Sequence, residues 1–338
     1  MNPSKPIGVL LAQLGTPDAP TPAALRSYLR QFLSDRRVID YPPLLWQPLL
    51  RGVILRVRPA RSARLYQRIW QDGGSPLLTY SRAQVQGLQE RLGGAFRVIL
   101  GMTYGSPSIA QAIRSLETDG VERIIVLPMF PQYSSTTTAS IYDAVYEAAA
   151  GLHGQWQHDR KRWIPTLRFV APYYDDAGYL DAMRDHLQQT IAALPQPPDQ
   201  IILTFHGIPK RYVDTGDPYR CQCEQTAARL AQAMGWPPHK WTLCFQSRFG
   251  REEWLTPYTS EVLTGLHTAG VQHPLVFSPG FTTDCLETLD ELGHEGRDEF
   301  AAGGGAAEQY HLAACLNAYP RWLDALAHLV QQNALGWL

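Results

Sequence analysis

SPGFTTDCLETLDELGHE, residues 278–295, follows the apolar run PLVF (274–277), and the junction between them decides how the rest of the chain is read. An apolar run that ends in a Pro-Gly turn and gives way to a patterned acidic segment reads as a buried strand followed by a helix. Glu287, Glu291 and Glu295 recur at i, i+4 and i+8, so on a helix they share one face, and Asp284 sits one turn earlier. Like charges stacked in this way repel each other, so the arrangement is a poor choice for stability alone. Such a row binds a cation, relays protons or simply faces water. Its position favours the first two, because ligands of open α/β sheets bind beyond the carboxyl ends of the strands.

Working outward, QIILTFHGIPKRY (200–212) repeats the form: an apolar strand, then His206, Gly207 and Pro209. A lone histidine is more often a satisfied core residue. An imidazole and a carboxylate row that both stand at strand tips suit a divalent metal or proton transfer near neutral pH. Further apolar runs lie at 7–15, 97–105, 123–133, 167–174, 240–247 and 274–281, with helical patterns between them at 108–120, 178–194 and 225–235. Continuous apolar strands that alternate with helices predict parallel sheets covered on both faces. The fold class is therefore α/β, with two doubly wound domains. Residues 1–165 are expected to form the first and 166–319 the second, which carries His206 and Glu287. A final helix within 320–338 packs back on the first. By composition, 151–163 and 194–200 are the best linkers.

Composition narrows the function. A chain of 338 residues suits two domains. A net charge of −1 gives no sign of a nucleic-acid partner. The five cysteines are Cys221, Cys223, Cys244, Cys285 and Cys315; an odd number without a C-x-x-C argues against a disulfide framework and a structural zinc, and for a reducing compartment. MNPSKPIGVLLAQLGTP lacks a signal-peptide pattern and reads as the first strand. No segment approaches the ~20 apolar residues that span a bilayer. Neither GxGxxG nor Walker A occurs, so a nucleotide site is poorly supported. The hydroxyl run Ser134–Ser140 caps a helix or holds an anion.

Residues 41–71 contain six arginines, many apolar residues and no acid. They read either as two core helices with solvated arginines or as an apolar lip that touches a membrane or admits a greasy, acidic ligand, the missing acids favouring the lip.

Longer stretches carry a resemblance. FLSDRRVID (32–40), GGSPLLTYS (73–81), LTFHGIPKRYVDTGDPY (203–219), FQSRFGREEWLTPYT (245–259) and PGFTTDCLETLDEL (279–292) resemble the ferrochelatase family, in particular the enzymes of Gram-negative bacteria, and the likeness runs nearly the whole length. It implies two Rossmann-like domains with a cleft between them, and a lyase that inserts Fe2+ into protoporphyrin IX with release of two protons, the terminal step of haem biosynthesis. It implies that His206 and Glu287 act as catalytic and metal-binding residues, with Glu291 and Glu295 as a proton or metal relay. Leu14, Arg58, Tyr66, Tyr133, Trp254 and Phe281 match porphyrin-contacting positions. Tyr in place of Leu14 is common in enzymes acting on coproporphyrin, so Leu14 favours protoporphyrin IX. Where the animal enzymes have a cluster cysteine this chain has Ser135, and it lacks their C-terminal extension, so no [2Fe–2S] cluster is expected; Cys285 replaces a histidine of theirs. Fe2+ is a substrate and no cofactor is permanently bound. The implied partners are the porphyrin, a transient metal or haem carrier, and a peripheral contact with the inner membrane from the cytoplasm. A chelatase for another metal or tetrapyrrole and a non-catalytic haem-binding protein are the alternatives.

Overall fold

The computed structural model describes residues 5–152 and 161–338. The first half runs β1 (Ile7–Thr16), α1 (Pro22–Phe32), α2 (Pro43–Leu49), α3 (Leu55–Ile69), α4 (Pro76–Leu92), β2 (Phe96–Gly105), α5 (Ile109–Thr118), β3 (Arg123–Pro128), α6 (Ser140–Ala150) and β4 (Thr166–Phe169). The second runs α7 (Ala177–Ala193), β5 (Gln200–His206), α8 (Lys210–Asp214), α9 (Tyr219–Met234), β6 (Trp241–Gln246), α10 (Thr259–Gly265), β7 (Pro274–Phe277), α11 (Gly296–Ala302) and β8 (His311–Leu312), before the final α12 (Pro320–Asn333). Short π-helical runs occupy Leu50–Ile54, Ser135–Ala139 and Glu287–Glu295.

Each half builds one parallel four-stranded sheet, in the orders β2-β1-β3-β4 and β6-β5-β7-β8. The α/β fold and the parallel sheets are thus as the apolar runs predict. The inner strands β1, β3, β5 and β7 are apolar without alternation because both of their faces are covered. In the first sheet Leu10, Ile124 and Val126 pack on Ile109, Ile113 and Leu116 of α5 and on Ile141 and Val145 of α6. In the second, Ile202, Cys244 and Val276 pack on Leu263 and Phe300. Each such aliphatic side chain contributes about 1.5–3 kcal/mol by burial. Helix starts follow local chemistry. Pro22 stands at the first position of α1 behind the Thr21 cap, Ser108 and Gln111 form a reciprocal capping box on α5, and Asp176 accepts the Tyr179 amide at the start of α7.

The chain divides into two compact units. Met1–Phe130, Ser134–Pro172 and Leu323–Leu338 form the first; Pro131–Tyr133 and Tyr173–Trp322 form the second. The boundary at 165/166 is corrected: β4 pairs with β3 through Arg123↔Thr166 to Val126↔Phe169, so the first unit keeps this strand. Within that unit, Leu323 of α12 lies against Gly87, where a Cβ would come within 2.5 Å of it, and Asp324 pairs with Arg91. Residues 194–200 are no interdomain linker, since they join α7 to β5 inside the second unit. Of the other linker candidate, 151–163, residues 153–160 lie outside the described residues.

The acid-free stretch is a nearly continuous helical run, α2 to α3. Leu44 and Leu45 are 90% and 73% exposed, and Leu49, Val53 and Val57 are exposed with them. Trp46 and Leu50 are instead buried, the indole donating to Leu33 O at 2.7 Å, so this face is narrower than the sequence implies. Among the described residues no helix is long and apolar enough to cross a membrane.

Candidate active site

In a sheet of order 2-1-3-4 the chain reverses direction beside the first strand, and the crevice opens beyond the carboxyl ends there. In the second unit that point lies between β5 and β7. His206 is the last residue of β5 and Gln246, its register partner, the last of β6. The loop after β7 supplies Phe281 and leads into the acidic π-run.

Glycine lets these loops close on the imidazole. A Cβ at Gly207 would come within 2.9 Å of Gln246 O and 3.1 Å of Trp254 Cε3. Lys210 N donates to Glu253 O and Leu255 N to Ile208 O, which fastens residues 253–255 alongside and sets Trp254 beside His206. Tyr179 donates its buried hydroxyl to Pro279 O at 2.6 Å and so holds the turn that carries Phe281. The His206 ring centroid lies 6.4 Å from both Trp254 and Phe281. Its Nδ1 stands 2.6 Å from Gly207 O. A carbonyl only accepts, so Nδ1 carries a hydrogen, and Nε2 is the ring atom left to exchange a proton or meet a metal.

A polar chain runs from the sheet to the carboxylates. Thr204 Oγ1 donates to Gln246 Oε1 at 3.2 Å, which turns the amide so that Nε2 donates to Glu287 O at 3.1 Å and Glu291 Oε2 at 3.3 Å. Ser247 has a left-handed backbone (φ 67°) and donates Oγ to Glu291 Oε2 at 2.6 Å. Strained backbone of this kind persists where surroundings over-determine it, often at functional sites. Burial raises the Glu291 carboxyl above its ordinary range; the Ser247 hydrogen bond and the charge of His206 pull it down, and the charge of Glu287 pushes it up. Glu291 therefore lies within electrostatic reach of His206. Glu287 lies near the Cys285 thiol, which is driven up by burial and then by the Glu287 charge.

The acidic segment is helical but not α-helical. Tyr310 donates its hydroxyl to Leu292 O at 2.7 Å, taking the carbonyl that the Gly296 amide would use in an α-helix; that amide reaches back to Glu291 O. Gly296 admits the phenol, since a Cβ would stand 2.7 Å from its oxygen. Such i→i+5 turns are rare and frequent at functional sites.

Three outcomes differ from the sequence reading of this row. Asp284 does not extend it: only 3% exposed, it accepts from Asn317 Nδ2 at 2.6 Å, Thr288 Oγ1 at 2.9 Å and Cys315 N at 3.3 Å, and so pins the loop. Glu299 prolongs the row at i+12. Burial, then the charges of Glu291 and Glu295, push its carboxyl up to about 7. Gln246 and Ser247 were also missed as site residues, though both stand within the FQSRFGREEW stretch, and Glu299 continues the four-residue spacing.

The remaining residues divide between the units. Tyr133, its amide held by Gln222 Oε1 at 2.7 Å, belongs to the second unit with His206, Trp254, Phe281 and the glutamates. Leu14, Arg58 and Tyr66 belong to the first. Leu14 and Arg58 are half-buried; Tyr66 is buried, its ring 6.1 Å from Trp70. Among the described residues no three His, Cys, Asp or Glu side chains form a ready-made metal cage.

Two parallel α/β units, one with an imidazole and carboxylates at its carboxyl edge, define a protein of the two-domain chelatase-like class. The fold is similar to a solved structure, "SirB from Bacillus subtilis with Fe3+": the TM-score is 0.55 and the identity 13%, over 97% of this chain and 96% of that one. The ferrochelatase family profile matches residues 6–334, and the chain belongs to that family. Its class of activity is that of a tetrapyrrole metal chelatase.

Proposed function

We propose that this protein inserts Fe2+ into protoporphyrin IX and releases two protons, completing haem. The observation that carries the reading is the imidazole of His206, its Nδ1 held by Gly207 O, between two aromatic rings and within electrostatic reach of Glu291. A free-base porphyrin holds two pyrrole N–H groups. As iron enters, both N–H bonds break, four Fe–N bonds form and two protons leave, with no change in iron oxidation state. In this reading His206 accepts the first proton on its imidazole. Glu287 and Glu291 hold the positive charge of the incoming iron and accept the second proton. Glu291, whose carboxyl burial raises above its ordinary range, leads with Glu295 and Glu299 toward solvent and so offers protons a path. Trp254 and Phe281 press on the macrocycle, and Leu14, Arg58, Tyr66 and Tyr133 supply further porphyrin contacts. Catalysis needs no iron–sulfur cluster. Exposed Leu44, Leu45 and Leu49, with their neighbouring arginines, rest on the anionic inner-membrane surface, into which substrate and product partition.

The test is anaerobic incubation of the purified protein with Fe2+ and protoporphyrin IX, following loss of porphyrin fluorescence. Turnover is expected. Tight haem binding without turnover would favour a binding protein, and turnover only with another metal or tetrapyrrole would reassign the substrate.

A further inference from the structure

Arg26 and Arg30 of α1, Arg51 of the π-run Leu50–Ile54, and Arg56 of α3 converge with Leu55 around a cavity of about 510 Å3. The cavity lies wholly within the first unit. Arg26 Nε donates to Leu55 O at 2.9 Å, which fixes that guanidinium and leaves its other N–H groups for the cavity. The elements around it carry no acid: α1 has no Asp or Glu, and neither does the run from 41 to 71. Elsewhere in the same unit some arginines are paired with acids, Arg37 with Asp143, Arg97 with Asp119 and Arg91 with Asp324. Among the described residues none of the four cavity arginines is ion-paired.

Four uncompensated guanidinium groups around one concavity repel one another, so the basin has a strong local preference for an anion. The planar fork of arginine matches phosphate oxygens two at a time. A single carboxylate would leave most of the charge unmatched. A terminal phosphate carries about −1.5 to −2, so a diphosphate comes close to balancing four arginines, while phosphodiester headgroups, at about −1 each, would have to gather there in number. We propose that this basin is a binding site for a phosphate-bearing anion, supplied either by a soluble polyphosphate or by a phospholipid headgroup. The second source has a place to sit, since Leu49, Val53 and Val57 are exposed on the same helical run. The site is independent of the proposed reaction.

The full-length protein is titrated with pyrophosphate by calorimetry, and in parallel sedimented with vesicles of phosphatidylcholine alone or mixed with phosphatidylglycerol. Three variants accompany the wild type: Arg30→Gln/Arg51→Gln, Arg30→Lys/Arg51→Lys, and Arg61→Gln, which removes a charge from α3 outside the cavity. Saturable one-site binding of pyrophosphate is expected, weakened about tenfold or more in the glutamine pair. The lysine pair, which keeps the charge and loses the fork, falls between, and Arg61→Gln binds like wild type. This pattern with pyrophosphate assigns a soluble source; the same pattern only on phosphatidylglycerol vesicles assigns a headgroup. Chelation rate stays unchanged in all three, and the melting temperature falls in none, the glutamine pair holding or gaining stability as the repulsion is relieved. Binding of neither probe, equal loss in Arg61→Gln, or stoichiometric displacement of pyrophosphate by protoporphyrin IX would overturn the proposal.

Discussion

The two units share one topology and differ in what they place at its functional edge. Each has a central strand flanked on both sides by parallel neighbours, in the order 2-1-3-4. The second unit's central strand ends in His206, and the carboxylates follow from the loop beyond its neighbour. The corresponding strand of the first unit ends in Thr16, a buried hydroxyl without a hydrogen-bond partner, and the loop beyond its neighbour β3 brings a run of serines and threonines. The charged features of the first unit are arginines on its outer helices. The fold therefore supplies a crevice twice, and only the residues at strand ends decide which of the two carries an imidazole and carboxylates.

Exchanging those strand-end residues tests the contrast most sharply. His206→Ala should lower the chelation rate by about 10²–10⁴, the range of a lost general base, with the melting temperature nearly unchanged. Thr16→Val should leave the rate within about twofold and hold or raise the melting temperature, because it deletes an unsatisfied buried hydroxyl. Comparable rate losses in the two variants would dissolve the distinction between the units.

Within the acidic row the effect should decline outward. Glu287→Gln is expected to cost about tenfold or more in rate, as expected for a lost charge contact near the reacting atoms, and Glu295→Gln, which alters an exposed residue, less than about twofold. Equal losses at saturating iron would mean that the row has no direction.

Glu299 offers a pH test. Its carboxyl is raised from 4.5 to about 7, so between those values the folded state binds more protons than the unfolded, and stability falls as pH rises through that window. Glu299→Gln should flatten the fall in melting temperature between pH 5 and 8 and stabilise the protein at the upper end, modestly because the side chain is half-exposed. An unchanged slope would remove Glu299 from the row.

The smallest effect belongs to the first unit. Leu44→Glu with Leu45→Glu should weaken co-sedimentation with anionic vesicles, at about 1 kcal/mol per basic residue near the surface plus the lost apolar contact. Trp46 is the wrong residue for this test, because its buried indole would report on stability.

Much of the site was legible because strand tips announce themselves. An apolar run that breaks at His-Gly or Pro-Gly locates a carboxyl edge, and four-residue spacing locates a face. What stayed hidden depends on partners distant in sequence. Asp284 matches its neighbours in type, yet Asn317 and Cys315, more than thirty positions on, make it a structural anchor. Gln246 is an ordinary amide until Thr204 orients it. The domain boundary slipped because the apolar run 167–174 marks a strand but not the sheet it joins. The two-residue β8 has too short a pattern to show at all.

The Tyr310 hydroxyl also sets the phase of the helix. An α-helix advances roughly 100° per residue, so the extra residue held in the π-run rotates everything beyond it by about that angle relative to Glu287. Gly296 and Tyr310 together act as a register lock: they decide which flank of the helix Glu295 and Glu299 occupy without touching either carboxylate. A change as small as Tyr310→Phe would leave every glutamate in place in the sequence while offering the row a competing alignment. The alignment of the carboxylate row is thus written partly in a phenol fifteen residues downstream of Glu295.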